Sequence, residues 1–153
     1  MSRKRWRRGR ANAKGRTEYG EGFTSLPHTL TESEAFRTLP GSALKIYIEL
    51  RRRFRGGNNG NLHVSLEEAK RLLRMGKATA LRGFRELESR GLIVKTRAGN
   101  WYRRLAARWR LTDKSYPIGT PPTNEWRQWQ NPQGIKNRTA VPDWNEDGSG
   151  MER

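Results

Sequence analysis

A chain of 153 residues has room for one compact domain plus tails, and with 33% hydrophobic residues its core must come from the middle, because Gly, Pro, Asn and charged residues concentrate toward the ends. The 32 Lys and Arg outnumber 15 Asp and Glu, a formal net charge of +17 that attracts phosphate polyanions over about a Debye length, ~8 Å at physiological salt. Absence of cysteine excludes a disulfide, a thiol nucleophile and a cysteine-ligated zinc, and no apolar run approaches the ~20 residues that cross a bilayer.

The charge is unevenly spread. Residues 1–22 carry 8 basic and 2 acidic groups (net +6), residues 23–112 carry 19 and 7 (net +12), and residues 113–153 carry 5 and 6 (net −1). In the first segment Arg3, Lys4, Arg5, Arg7, Arg8, Arg10, Lys14 and Arg16 surround Trp6, a like-charge block that repels itself open, so a flexible basic arm is expected. Gly9 and Gly15 argue against an amphipathic membrane-surface helix there, and no membrane partner is expected. No apolar stretch follows residues 3–16, so no signal peptide is expected and the expected location is cytoplasmic, with the nucleoid.

Thr31 with Glu34 fits a capping box, in which each side chain satisfies a backbone N–H, and predicts a short helix through residue 38 that Pro40 ends. Ser42 is the expected cap of a second helix, 42–54, whose Leu44, Ile46, Tyr47, Ile48, Leu50 and Phe54 cover more than one stripe and imply burial on several sides, with Gly56 and Gly57 as the stop. Asn58 to Asn61 is turn chemistry leading into a short strand at Leu62, His63 and Val64. Ser65 and Glu68 form another capping box, and Leu66, Ala69, Leu72 and Leu73 recur at helical spacing. After a break at Arg74, Met75 and Gly76, residues 77–90 read as a longer helix with Ala80, Phe84 and Leu87 inward and Gly91 closing it. Leu92, Ile93 and Val94 start a strand, and residues 104–112 alternate, with Leu105, Ala107, Trp109 and Leu111 on one side against Arg104, Arg108 and Arg110 on the other. A β-hairpin with Gly99 and Asn100 near its tip is expected, and after Asp113 a Pro-, Gly- and Asn-rich, largely disordered tail in which Trp126 and Trp129 dock at most locally.

The fold class expected is α+β, in the order helix, strand, helix, turn, helix, hairpin. Three stretches, GSALKIYIELRRRF, VSLEEAKRLLRMGKATALRGFRELESRGLIV and ARWRLT, resemble winged helix-turn-helix regulators and the replication or excision accessory proteins of phages and plasmids, the most specific being ATALRGFRELESRGLIV. The resemblance runs from Ser42 to Thr112 and implies a three-helix core with a C-terminal hairpin wing in a domain over residues 23–112, between an arm (1–22) and a tail (113–153). The family carries a small residue, commonly Ala, where Lys70 stands and Gly where Arg74 stands, so either the turn is atypical or the alignment is shifted by one.

Projection of residues 77–90 at 100° per residue turns Ala78, Thr79, Arg82, Arg85, Glu86 and Ser89 outward. The second helix of a helix-turn-helix presents its N-terminal part to base edges, so Lys77, Thr79 and Arg82 are the expected base contacts, Arg82 foremost because Arg pairs with guanine by two hydrogen bonds. Arg74 and Arg85 suit phosphates, and Arg97, Asn100, Arg103 and Arg104 suit a minor groove or the backbone beside the wing. The solvated alternative is a basic face whose Arg82–Glu86 and Glu86–Arg90 pairs merely support the helix.

His28 and His63 lie far apart without a carboxylate cluster, so neither a metal site nor histidine catalysis is expected. Glu67, Glu68, Glu86 and Glu88 fit caps, ion pairs or solvent faces rather than paired catalytic carboxylates. Trp109 falls on the apolar side of its strand, while Trp101 and Tyr102 stay open as stacking contacts. The expectation is therefore a non-enzymatic protein without cofactor that binds double-stranded DNA sequence-specifically as a transcriptional regulator. A replication or excision accessory role and an RNA-binding or structural nucleic-acid role are the alternatives, and a homodimer or other protein partner stays open.

Overall fold

A computed structural model of the protein describes residues 23–100 and 102–132. The basic arm (Arg3, Lys4, Arg5, Arg7, Arg8 and Arg10 included), Trp101 and residues 133–153 lie outside the described residues. Among those described, five α-helices and one two-stranded antiparallel sheet make an α+β fold. None of these helices is long and apolar enough to cross a membrane.

The expected first helix is two single turns, α1 (His28–Thr31) and α2 (Glu34–Arg37). The cap is Ser33 and not Thr31. Ser33 adopts extended backbone and its Oγ accepts from the Phe36 N–H, whereas the Thr31 hydroxyl donates to the His28 carbonyl inside its own turn. The break between the turns lets both Leu30 and Ala35 reach the core.

Helix α3 (Gly41–Arg53) begins after Pro40, whose extended backbone occupies the N-cap, so Ser42 stands inside the helix and caps nothing. Ala43, Ile46, Tyr47 and Leu50 are fully buried, while Leu44, Ile48 and Phe54 are only half-buried. The helix stops at Arg53 before the glycines, because Asn58 donates its amide to the Arg53 carbonyl at 2.8 Å and accepts from the Arg55 N–H at 2.7 Å. The short strand expected at residues 62–64 reduces to one bridge, Leu62 with Trp109, although Leu62 and Val64 are buried and His63 exposed as the alternation implied.

Helix α4 (Leu66–Leu73) carries the expected capping box, with Glu68 N–H donating to Ser65 Oγ at 3.1 Å and Ser65 N–H to Glu68 Oε2 at 2.8 Å. The small buried residue of the helix is Ala69, one position before exposed Lys70. Arg74 takes the left-handed conformation (φ 53, ψ 47), and Gly76 leads into α5 (Lys77–Ser89). Ala80, Gly83, Phe84 and Leu87 face the core. At Gly83 a Cβ would stand 2.7 Å from Ile46 Cδ1, so its absence lets α5 lie close against α3.

Strands β1 (Ile93–Arg97) and β2 (Arg108–Leu111) pair with Ile93 opposite Leu111 and Lys95 opposite Trp109, and the register breaks between Lys95 and Arg97. The strand expected over residues 104–112 is therefore four residues long. Beyond the irregularity Asn100 and Leu105 close their own small turn (2.8 and 2.9 Å), Arg104 takes φ 52, and Leu105 is 41% exposed instead of facing inward. Trp109 is buried and stacks on Phe84 at 5.1 Å with the rings 8° apart, which fastens the hairpin to α5.

The tail does not begin at Asp113. Arg51 meets Asp113 at 2.6 Å in a buried ion pair, the Thr112 carbonyl accepts from the Asn124 N–H at 2.9 Å, and a 3-10 helix (Glu125–Gln128) places Trp126 in the core. Gly91, at φ 68, makes room: a Cβ there would lie 2.8 Å from the Glu125 carbonyl carbon and 2.9 Å from the Trp126 nitrogen. Two tryptophans supply the apolar area that the surrounding Pro, Asn and Gln lack, Trp126 by burial and Trp129 under the Arg90 guanidinium at 4.5 Å.

Candidate nucleic-acid interface

Because α5 rests on α3 and Trp109 through Ala80, Gly83, Phe84 and Leu87, its opposite face is presented to solvent. Ala78, Leu81, Arg82, Arg85 and Ser89 are exposed there. Thr79 differs from expectation: it is half-buried on the flank, one turn from Gly83 and hence near the α3 contact, and Glu86 is likewise half-buried. Of the two supporting pairs expected along the helix, Arg90 reaches Glu86 at 3.1 Å, whereas Arg82 makes neither an ion pair nor a hydrogen bond among the described residues.

The nearby carboxylates are all engaged. Lys77 Nζ is 2.5 Å from Glu67 Oε1, Arg53 is 3.1 Å from Glu68, and Lys95 is 3.4 Å from Glu88. The hydrogen bond from Lys77 and its charge hold the Glu67 carboxyl below the ordinary range. Burial pushes Glu68 the other way, but the Ser65 N–H and Arg53 outweigh it and its carboxyl is also lowered. These groups stay charged and spoken for. Lys70 and Arg71 on α4, Arg74 in the turn, and Arg82 and Arg85 on α5 are exposed and without an ion pair among the described residues, so the helix pair carries surplus positive charge on its outer surface.

The hairpin holds a second basic group. Arg97, Arg103 and Arg104 are exposed, and the Arg97 guanidinium donates to the Ala106 carbonyl at 3.5 Å. Asn100 is exposed but its Oδ1 is occupied by the Arg103 N–H at 3.0 Å, which shapes the tip. Tyr102, 96% exposed, stands beside Arg103 and Arg104. Lys77, Arg82 and Arg85 thus stand on α5 and Arg74 in the turn before it, while Arg97, Asn100, Arg103 and Arg104 stand on the hairpin, which the Lys95–Glu88 pair and the Trp109–Phe84 stack join to α5.

Sequence reasoning missed Leu81, 45% exposed between Ala78 and Arg85 on the outer face, and the two exposed cations of the last turn of α4, Lys70, whose charge also acts on Glu67, and Arg71. The same projection at 100° per residue that located Arg85 would have found Leu81. His28 and His63 are both exposed, and among the described residues no group of three His, Asp or Glu is placed to hold a metal ion. Leu81, Arg82 and Arg85 can offer apolar and cationic contact to a grooved polyanion. No protein-family model, curated protein or solved structure matches the chain.

Proposed function

We propose that the protein is a sequence-specific double-stranded DNA-binding protein of winged helix-turn-helix type, acting as a transcriptional regulator by binding and not by catalysis. The observation that carries this reading is Arg82, exposed on the outer face of α5 and without an ion pair among the described residues, while the carboxylate that would have neutralised it, Glu86, is held by Arg90. An α-helix fits the major groove, about 12 Å wide, and an Arg there takes guanine O6 and N7 together. In this reading α4 and α5 are the paired helices, Arg74 to Gly76 the turn, and β1–β2 the wing.

Arg82 reads a base edge. Lys77 joins it on release from Glu67, an exposed pair of the kind worth only about 0–1 kcal/mol. Thr79, on the flank, suits a phosphate better than a base. Arg74, Arg85, Lys70 and Arg71 meet phosphates, Arg97, Arg103 and Arg104 follow the backbone or a minor groove, and the arm adds charge. Selection of bound sites from random duplexes tests the proposal: a preferred sequence that Arg82→Ala relaxes is expected, and failure to recover any preferred duplex overturns it.

One observation favours a second reading, an RNA-binding or structural nucleic-acid protein: the fully presented Tyr102 ring between the arginine-bearing turn and solvent is suited to stacking on an unpaired base. In that case single-stranded competitor displaces duplex, and Arg82→Ala changes little while Tyr102→Ala weakens binding.

A further inference from the structure

Outward positions of α5 are polar or charged except for two, Ala78 and Leu81, and both lie in the N-terminal half of the helix. Leu81 is 45% exposed. It sits one turn from Ala78 and one turn from Arg85, so the three share one stripe, and Arg82, a single residue on, is turned about 100° further round the exposed side of the helix; neither arginine has an ion pair among the described residues. Helix α5 is anchored by burial of Ala80, Gly83, Phe84 and Leu87, and Leu81 is not one of its buried residues. An exposed leucine on its own calls for no explanation. Its place on one stripe with Ala78 and Arg85, beside Arg82 and on the half of the helix that would enter a groove, is what gives it one.

The apolar group that a major groove displays is the thymine C5-methyl, and guanine O6 and N7 are the acceptors suited to arginine. We propose that Leu81, with Ala78 beside it, reads the methyl group of a thymine that lies close to a guanine taken by Arg82. This rests on the DNA-binding reading above and deepens it, since it names part of the sequence recognised. Leu81 and Arg82 are less than one helical turn apart, under about 5.4 Å along the axis, and one base pair advances about 3.4 Å. The thymine therefore falls within about two base pairs of the guanine. Charge sets affinity at this surface, and the leucine sets which step Arg82 accepts.

The experiment uses the full chain and the duplex recovered by selection from random sequence. Each thymine is replaced in turn by deoxyuridine, which removes the methyl group and leaves every hydrogen-bonding atom in place. Wild-type protein is expected to bind one uridine-substituted duplex about threefold to fivefold more weakly, the worth of one methyl withdrawn from water. Leu81→Ala, at a position outside the core, is expected to fold normally by circular dichroism and to bind the thymine and uridine duplexes alike. Arg82→Ala is expected to keep the thymine-to-uridine ratio while losing the guanine preference. Equal binding of every uridine duplex by the wild type, or a selected site without a thymine within two base pairs of its guanine, overturns the proposal and leaves sequence-specific DNA binding intact. Recovery of no preferred duplex overturns both.

Discussion

The side-chain amide of Asn59 holds the main chain of Leu111 on both sides: Oδ1 accepts from the Leu111 N–H at 2.8 Å, and Nδ2 donates to the Leu111 carbonyl at 3.0 Å. The same Nδ2 stands 3.2 Å from the Lys114 carbonyl and 3.1 Å from that of Ser115, so a buried amide organises the exit from β2. Asn59→Asp removes the donor and sets a carboxylate against three carbonyls. A buried group deprived of its partner costs about 1–3 kcal/mol and a charged one more. Urea midpoints at pH 7 are expected to fall by at least about 2 kcal/mol of stability, and an unchanged midpoint would show that the amide is not what organises this loop.

Arg82 and Arg85 should separate by kind of defect. Both are exposed and unpaired among the described residues, so replacement by Ala leaves the thermal midpoint within the small range of surface changes, about ±0.5 kcal/mol. Arg82→Ala is expected to cost about 1–3 kcal/mol of discrimination at one base pair. Arg85→Ala should weaken all duplexes alike and lower the slope of log affinity against log salt by about one. Titrations at several salt concentrations, on cognate and scrambled duplexes, read both quantities.

Residues 113–132 should be part of the folding unit. Trp126→Ala is expected to lose about 3–5 kcal/mol, the range for a large buried aromatic. Gly91→Ala combines a left-handed backbone with a Cβ under 3 Å from the Glu125 and Trp126 main chain, so it should undo the same docking from the other side. Limited proteolysis is the check: wild type resists cleavage between residues 113 and 132, and Gly91→Ala is cut there.

Acid should weaken the seam between α3 and α4. Hydrogen bonds from Arg52 hold the Glu49 carboxyl low against the opposing effect of burial, with Arg53 adding to them; at Glu68 burial is outweighed by the Ser65 N–H and Arg53. A carboxyl whose folded pKa is lowered adds stability that is fully present above its unfolded value and disappears as pH falls through the folded one. Denaturant midpoints should therefore be level near neutrality and decline below the ordinary carboxyl value of 4.5. Glu49→Gln with Glu68→Gln should start lower at pH 7 and decline less steeply in acid.

Helices α4 and α5 were legible because their signals are local: the reciprocal Ser65–Glu68 cap and the recurrence of Ala80, Phe84 and Leu87 need no distant partner. Thr31 and Ser33 both offer a hydroxyl at a helix start, and the choice of Ser33 goes with burial of Leu30 and Ala35, which is tertiary. Alternation over residues 104–107 mimicked a strand, yet the irregularity after Lys95 had already taken that stretch out of register. The docking of Trp126 depends on a missing Cβ at Gly91, thirty-five residues away in sequence, a relation no local pattern displays. On the candidate site, periodicity placed Arg82 and Arg85 outward correctly, and it could not tell that Thr79 would be half-covered on the flank of the helix.

Arg74 sits at φ 53, where a side chain costs about 1–2 kcal/mol and glycine nothing. Glycine would return only ~0.4–1 kcal/mol of that through its looser unfolded chain. Arg74→Gly is thus expected to yield a hardier protein, with a higher melting temperature, that grips nucleic acid less firmly and with a shallower salt response. Here, as at Arg104 with its φ of 52, the chain carries a cation where sturdiness alone would ask for none, and on the proposed DNA-binding reading endurance and grip pull in opposite directions.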